Sequence, residues 1–305
     1  MMEILYPHSQ WFDNANQSHR AKPEFVRAQT AYQTYRSALR DANSIENDRE
    51  YIQAATDALN AYKDVVDLLE YKRAFNAQTK FHSTVHEEFW AILAQHLLSQ
   101  LDLPLERARV YIGPGQSLQG LYFHPESPEQ AFGAQLGNTI KPKFKDRDFM
   151  IALKTNFNLA LNGHRAPLRT SGSIPELFLP LVTIECKQYI DKTMMDNALS
   201  AATKLKAFSP FTLDIVTIEL NKLSDVNIAG SGMDGFYILR KQKLSEARFR
   251  NGDGPKDTVD VTRRNPLDAE IILRVYEAMK THLESNRWYC DEEAFFEQGF
   301  ITNGL

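Results

Sequence analysis

The segment Leu181–Lys187, LVTIECK, constrains the fold more than any other stretch of the chain. Its apolar and β-branched residues read as a strand buried on both faces. It ends in Glu185-Cys186-Lys187, an acid and an amine two residues apart. Residues two apart on a strand share a face. Thr183, Glu185 and Lys187 therefore point one way, and Cys186 points the other way, into the core. An acid and an amine at the end of a buried strand are costly unless paired, solvated or put to use.

The rest of the chain supplies what such a strand needs around it. Strand candidates lie at Arg109–Ile112, Asp148–Leu153, Thr212–Leu220 and Gly235–Leu239. Gly113-Pro114-Gly115 reads as a turn closing the first of them. Helix candidates cover Lys22–Arg40, Ser44–Phe75 with Ser44 as N-cap, about Thr79–Leu101, Lys192–Phe208, and a last one opened by Pro266. Residues 154–180 read as a polar insertion and 240–256 as a basic loop. The fold class expected is α/β, a mixed sheet flanked by helices. A helical N-terminal region, 1–105, precedes and packs on a core at 106–305.

Composition narrows the function classes. The 305 residues carry a net charge of -4, which excludes a generically basic, histone-like protein but not a local basic groove. Two cysteines are too few for a disulfide framework, and with no apolar run of about 18 residues and no signal-like start a cytoplasmic protein is expected. There is no P-loop and no GxSxG elbow. His82 and His86 are four apart on a helix, but no third ligand is near in sequence, so zinc is not expected.

The chemistry is expected at Glu185 and Lys187. Asp148 begins the strand candidate DFMIAL; if it pairs with LVTIECK, two carboxylates sit side by side and suit a hard divalent cation such as Mg²⁺. Lys187 would then stabilise charge on a phosphate or orient a water. The triplet alone decides nothing, since roughly two acid-x-Lys triplets are expected by chance in this composition. The other, Glu70-Tyr71-Lys72, falls in a helix candidate, where residues two apart do not share a face. On the residues alone, a salt bridge within Asp148, Glu185 and Lys187 stays open beside a metal-dependent nuclease.

Asp148 followed by Glu185-Cys186-Lys187 resembles the PD-(D/E)xK nuclease motif. The longer run IECKQYIDKTMMDNALSAATKLK, Ile184–Lys206, is similar to the active-site strand and following helix of type II restriction endonucleases that cut CCTNAGC-like sites, the BbvCI-like family. The resemblance implies Mg²⁺-dependent, sequence-specific hydrolysis of double-stranded DNA on a restriction-endonuclease-like core. It implies Asp148 and Glu185 as metal ligands, with the Cys186 backbone carbonyl also available, and Lys187 as the catalytic lysine. It also implies a homodimer, or a heterodimer with a related subunit, and a cognate DNA methyltransferase. The sequence departs from the motif in lacking a proline before Asp148, which leaves Asp146 as a rival. Such enzymes often add an acid from an upstream helix. At about 100° per residue, Glu88 falls at the edge of the Phe81-Val85-Phe89-Ile92-Leu93 stripe and Glu87 nearly opposite its centre, so Glu88 is the expected contributor.

DNA contacts are expected from Lys143, Lys145 and Arg147, which alternate before the catalytic strand. Gln188 and Lys192 follow the motif, and Arg248 and Arg250 lie in the basic loop, where arginine can pair with guanine. The competing readings are a structure-directed repair or recombination nuclease and a non-catalytic DNA-binding protein.

Overall fold

The computed structural model describes residues 2–75, 80–103, 109–123, 140–155, 158–161, 164–167, 177–249 and 259–285. Helices dominate the first hundred residues: α1 (Pro7–Asp13), α2 (Gln17–Arg20), α3 (Pro23–Ala42), α4 (Asp48–Val66), α5 (Leu69–Ala74) and α6 (Thr84–Gln100). A two-residue strand, β1 (Glu3–Ile4), precedes them. The strands β2 (Val110–Phe123), β3 (Ile140–Thr155) and β6 (Leu177–Ile190) follow, with a small hairpin of β4 (Asn158–Leu161) and β5 (His164–Pro167) between β3 and β6. Then come α7 (Lys192–Phe208), β7 (Leu213–Asn221), β8 (Gly235–Ile238), the short α8 (Leu244–Ala247) and α9 (Ala269–Glu284).

Six strands form one mixed sheet in the order β1-β2-β3-β6-β7-β8. β3 is antiparallel to both β2 and β6, whereas β1-β2 and β6-β7-β8 run parallel. A parallel pair needs a crossover, and α7 supplies it between β6 and β7. Its N-cap is Asp191, whose carboxylate accepts from the Met194 N–H. Met195, Ala198 and Ala202 of α7 pack on Val216 and Ile218 of β7. The opposite face of the sheet buries Phe149, Ile151, Val182, Ile184 and Ile215 in one apolar cluster with α3, α4, α6 and α9. The helical N-terminal residues and the sheet thus share a core. Among the described residues no helix is long and apolar enough to cross a membrane.

Three local expectations are corrected. The stretch expected as one helix from Ser44 to Phe75 is two. Ser44 donates to the Asp41 carbonyl instead of capping, and Asn47 takes the cap, accepting from the Glu50 N–H. The break comes at Asp67-Leu68, where the buried Asp67 carboxylate is engaged by Lys63 and Arg264; tertiary pairing overrides helix propensity there. Gly113-Pro114-Gly115 does not end a strand: β2 continues through it, with register shifts at Gly113/Gly115 and Leu118/Gly120. A proline is tolerated at such a bulge because no ladder bond is lost. Gly113 has φ +143°, and a Cβ there would lie 2.9 Å from that of Leu5, so glycine is required.

Candidate active site

The antiparallel ladder of β3 and β6 runs from Thr155↔Leu177 to Phe149↔Ile184. Asp148 and Glu185 are the next residues on the two strands. Beyond this point β6 continues beside β7 alone, so the strands part where the two acids meet. The Asp148 carboxylate takes the place of a ladder partner, accepting from the Cys186 N–H at 2.9 Å. The same oxygen accepts from Lys187 Nζ at 2.8 Å, and Glu185 Oε1 lies 3.2 Å from that ammonium. All three side chains are 21–29% exposed and can be reached from solvent. Burial alone would lower the Lys187 ammonium, but Asp148 and Glu185 outweigh it and raise its pKa, so it stays charged.

Asp146, the rival ligand, is exposed and accepts from Gln116 Nε2 on β2 at 2.8 Å. It shares neither the Lys187 nor the Cys186 contact. Cys186 faces the core, with its thiol pushed up by burial and by the charge of Asp148, and the Thr217 hydroxyl 3.9 Å away. The thiol is therefore not available as a thiolate ligand.

The two helix acids do not sit as expected. Glu88 is fully buried among the N-terminal helices. Its carboxylate accepts from the Ser9 N–H at 2.8 Å, from Tyr32 Oη at 2.5 Å and from Arg36 Nη1 at 2.9 Å. It holds α1, α3 and α6 together and does not reach the site. Glu87 is the acid that feels the charges of the site. Burial and the charge of Asp148 push its carboxyl up to about 7, against the pull of Lys80 and Lys187. The stripe argument failed because α6 is buried on almost every side, from Thr84 and Val85 round to Trp90 and Ala91. A helix without an exposed face has no single apolar stripe to orient by. The feature that could have found Glu87 is the acid pair itself: neighbours 100° apart on a buried helix need two different partners.

Separating these two acids is a direct test. Glu88→Ala should lower thermal stability by about 3 kcal/mol, because it strands Arg36 and two hydrogen-bond donors. Cleavage per folded molecule should be unchanged. Glu87→Gln should leave the melting temperature within a few degrees of native and lower cleavage by about tenfold or more. Thermal melts beside DNA-cleavage rates read both.

The basic residues divide as well. Lys143 and Lys145 are exposed on β3. Arg147, expected beside them at DNA, is 4% exposed. Its guanidinium lies 3.4 Å from Asp214 and donates to the Ser117 hydroxyl at 3.1 Å. Strand alternation correctly placed it on a face shared with Lys143 and Lys145, but the face closes under α7, where Nη2 meets the Ala201 carbonyl at 3.5 Å. Gln188 and Lys192 are exposed, just past Lys187 and in the first turn of α7. Arg248 is half-buried, and its carbonyl accepts from Arg263 Nη1 at 2.7 Å. Arg250 and Lys256 lie outside the described residues. His82 and His86 face carboxylates, Asp67 at 3.4 Å and Glu219 at 2.9 Å.

Among the described residues no three acidic, histidine or cysteine side chains already close on one point. The acids converge on the Lys187 ammonium instead. Such an oxygen donor set gathered round a positive charge fits a hard divalent cation.

Residues 78–301 match the family model described as the Bpu10I restriction endonuclease. The match begins ahead of α6, so it includes Glu87 and every strand of the sheet except β1. No curated protein matches the chain. Among solved structures, a chain of the native BbvCI A2B2 tetramer is similar in fold, with a TM-score of 0.67 at 15% identity, covering 94% of this chain and 99% of that one. With most of its length inside the family match and its sheet and helices superposing on a restriction enzyme, the chain belongs to the Bpu10I restriction endonuclease family and is a type II restriction endonuclease.

Proposed function

We propose that the chain hydrolyses phosphodiester bonds of double-stranded DNA at a specific sequence, with Mg²⁺ as cofactor. The observation that carries this reading is the meeting of Asp148, Glu185 and Lys187 where β3 and β6 part. Asp148, Glu185 and the Cys186 carbonyl are the groups we assign to the metal, with Glu87 as a further oxygen donor. When bound there, Mg²⁺ supplies a Lewis acid that favours hydroxide over water and offsets charge on the phosphate. Lys187 keeps its proton and places a fixed positive charge beside the scissile phosphate. Lys143, Lys145, Lys192 and Gln188 are assigned to DNA, with Arg248 and Arg250 from the basic loop. Residues 106–305 form the catalytic core in this reading, helped by Glu87 from the helical region.

One chain carries one such site and cuts one strand. A double-strand break then needs a second copy or a related subunit, and the A2B2 composition of BbvCI supports a mixed assembly. A cognate methyltransferase would protect the host's DNA. The test is digestion of unmethylated plasmid with Mg²⁺, alone and with the related subunit. Discrete fragments support the reading, and nicks from the single chain identify a strand-specific subunit. Plasmid left intact in every arm overturns the reading.

The Glu87 carboxyl gives a pH dependence. Its folded pKa, about 7, lies above the ordinary glutamate value. The protonated form is therefore favoured by folding, and that contribution is present at low pH and lost as pH rises through about 7. Metal binding asks for the opposite charge state. Mg²⁺ affinity should rise with pH across roughly 6 to 8 and release a proton on binding. Isothermal titration in two buffers of different ionisation enthalpy measures this, and Glu87→Gln should remove the release.

A further inference from the structure

A cleft of about 190 Å³ opens at the far end of β6, one and two residues past Lys187, between the sheet and the N-terminal helices. Gln188 and Tyr189 line it from β6, Glu219 and Leu220 from β7, Arg264 from the segment before α9 and Lys72 from α5. Its floor is a buried charge network. Lys63 lies 3.0 Å from both Asp67 and Glu219, Arg240 Nε donates to Glu219 at 2.8 Å, and Arg264 pairs with Asp67 and, at 3.0 Å, with Asp64.

The charges do not balance. Four cations, Lys63, Lys72, Arg240 and Arg264, stand against two buried carboxylates, Asp67 and Glu219. Asp64 is 66% exposed and offsets only part of the excess. Buried charge is tolerated when it is paired. Lys72 makes no hydrogen bond or ion pair among the described residues, and Arg240 Nη2 is buried with no acceptor. Burial, with Lys63 and Arg264 nearby, lowers the Lys72 ammonium against the pull of Asp67 and Glu219. A surplus of positive charge in a cleft with an exposed mouth selects an anion.

We propose that this cleft is a phosphate site for the DNA backbone, in which Lys72 of the helical region and Gln188 of the catalytic strand hold a phosphate flanking the one that is cut. The inference rests on the nuclease reading above and deepens it. It gives the N-terminal helices a part in positioning substrate, because α5 brings Lys72 to the end of the catalytic strand. Tyr189 offers a half-exposed ring and hydroxyl at the mouth. Lys72 is a positioning residue: it sets where the strand lies and does not touch the reacting atoms.

The test is Lys72→Met, which keeps the aliphatic stem and removes the charge. DNA binding is measured by anisotropy without metal over a range of NaCl concentrations, and cleavage kinetics with Mg²⁺. The variant should bind roughly tenfold more weakly, the worth of one charged hydrogen bond. The slope of log K against log salt should shrink by about 0.9, the value for one phosphate contact. KM should rise with kcat near native, and Lys72→Arg should restore both. A folded Lys72→Met with native affinity and native slope overturns the proposal. So does inorganic phosphate raising the melting temperature of the native chain but not of Lys72→Met while DNA affinity stays equal, because the site then serves a free anion. If Lys72→Met does not fold, Gln188→Glu decides, since a negative charge at the mouth must weaken DNA binding and lower the slope. Lys187→Ala separates the two readings: it should lose cleavage, while Lys72→Met made in that background should still lower the slope by about 0.9 more. If it still cleaves, the catalytic assignment fails while the salt slope continues to judge the phosphate site.

Discussion

Lys187→Ala should lower the rate of DNA cleavage by about 10²- to 10³-fold or more while leaving the fold intact. The magnitude is that of removing one preorganised charge aimed at a developing anion. The fold should survive because the side chain is 28% exposed and its two partners are also reached by water. A partly exposed pair contributes little to stability. The ammonium has a second effect. It sits between Asp148 and Glu185, so it occupies the electrostatic position of a cation. Its removal leaves two carboxylates facing each other without a counter-charge, and they should bind Mg²⁺ at least as tightly as in the native chain. Arginine keeps the charge but presents it as a planar fork on a longer stem, so Lys187→Arg should rescue only weakly. Metal affinity by calorimetry beside single-turnover cleavage checks both halves. Lost cleavage with lost metal binding would mean that Lys187 only holds the acids in place.

The catalytic strand was legible because its signal is local. An apolar run followed by an acid and an amine at a period of two fixes a buried strand and a shared face, and Glu185 and Lys187 occupy that face. The pairing of Asp148 with Glu185 was legible in outline, since a second apolar run begins right after Asp148. What stayed hidden was set by tertiary contacts. Whether Glu87 or Glu88 meets the site depends on what covers each side of α6, and that helix is enclosed by α1, β2, β3 and α9. Arg147 reads like its neighbours Lys143 and Lys145 until Asp214 of β7 lies across from it. The strand through Gly113-Pro114-Gly115 was missed because a bulge uses the same residues as a turn. The buried charges of α4, β7 and Arg240 leave no trace in sequence at all, because their partners are far apart along the chain.

Those charges carry the largest expected effect on stability. Glu219 is 3% exposed and is the only carboxylate among the described residues that joins Lys63, His86 and Arg240. Burial alone would raise its carboxyl, but Lys63 and Arg240 hold it well below the ordinary carboxylate range. His86 is lowered by burial against the pull of Glu219, so it is neutral at pH 7. Glu219→Ala would leave Lys63, at 0% exposure, with Asp67 alone, and Arg240 without its nearest counter-charge. Breaking one partner out of a buried ionic group costs about 3–5 kcal/mol. In a chain of this size each kcal/mol moves the melting temperature by roughly 1.5 °C, so a fall of about 5–8 °C is expected. Glu219→Gln should fall less, since the amide oxygen still accepts from Arg240. The sign with pH follows from the depressed carboxyl: its stabilisation is full above the unfolded carboxyl's ordinary value and is lost as pH falls toward the folded one. Melts of native and Glu219→Ala chains should therefore converge in acid and separate at neutral pH. The opposite trend, or a melting temperature unchanged by Glu219→Ala at pH 7, would show that the network is satisfied without this carboxylate.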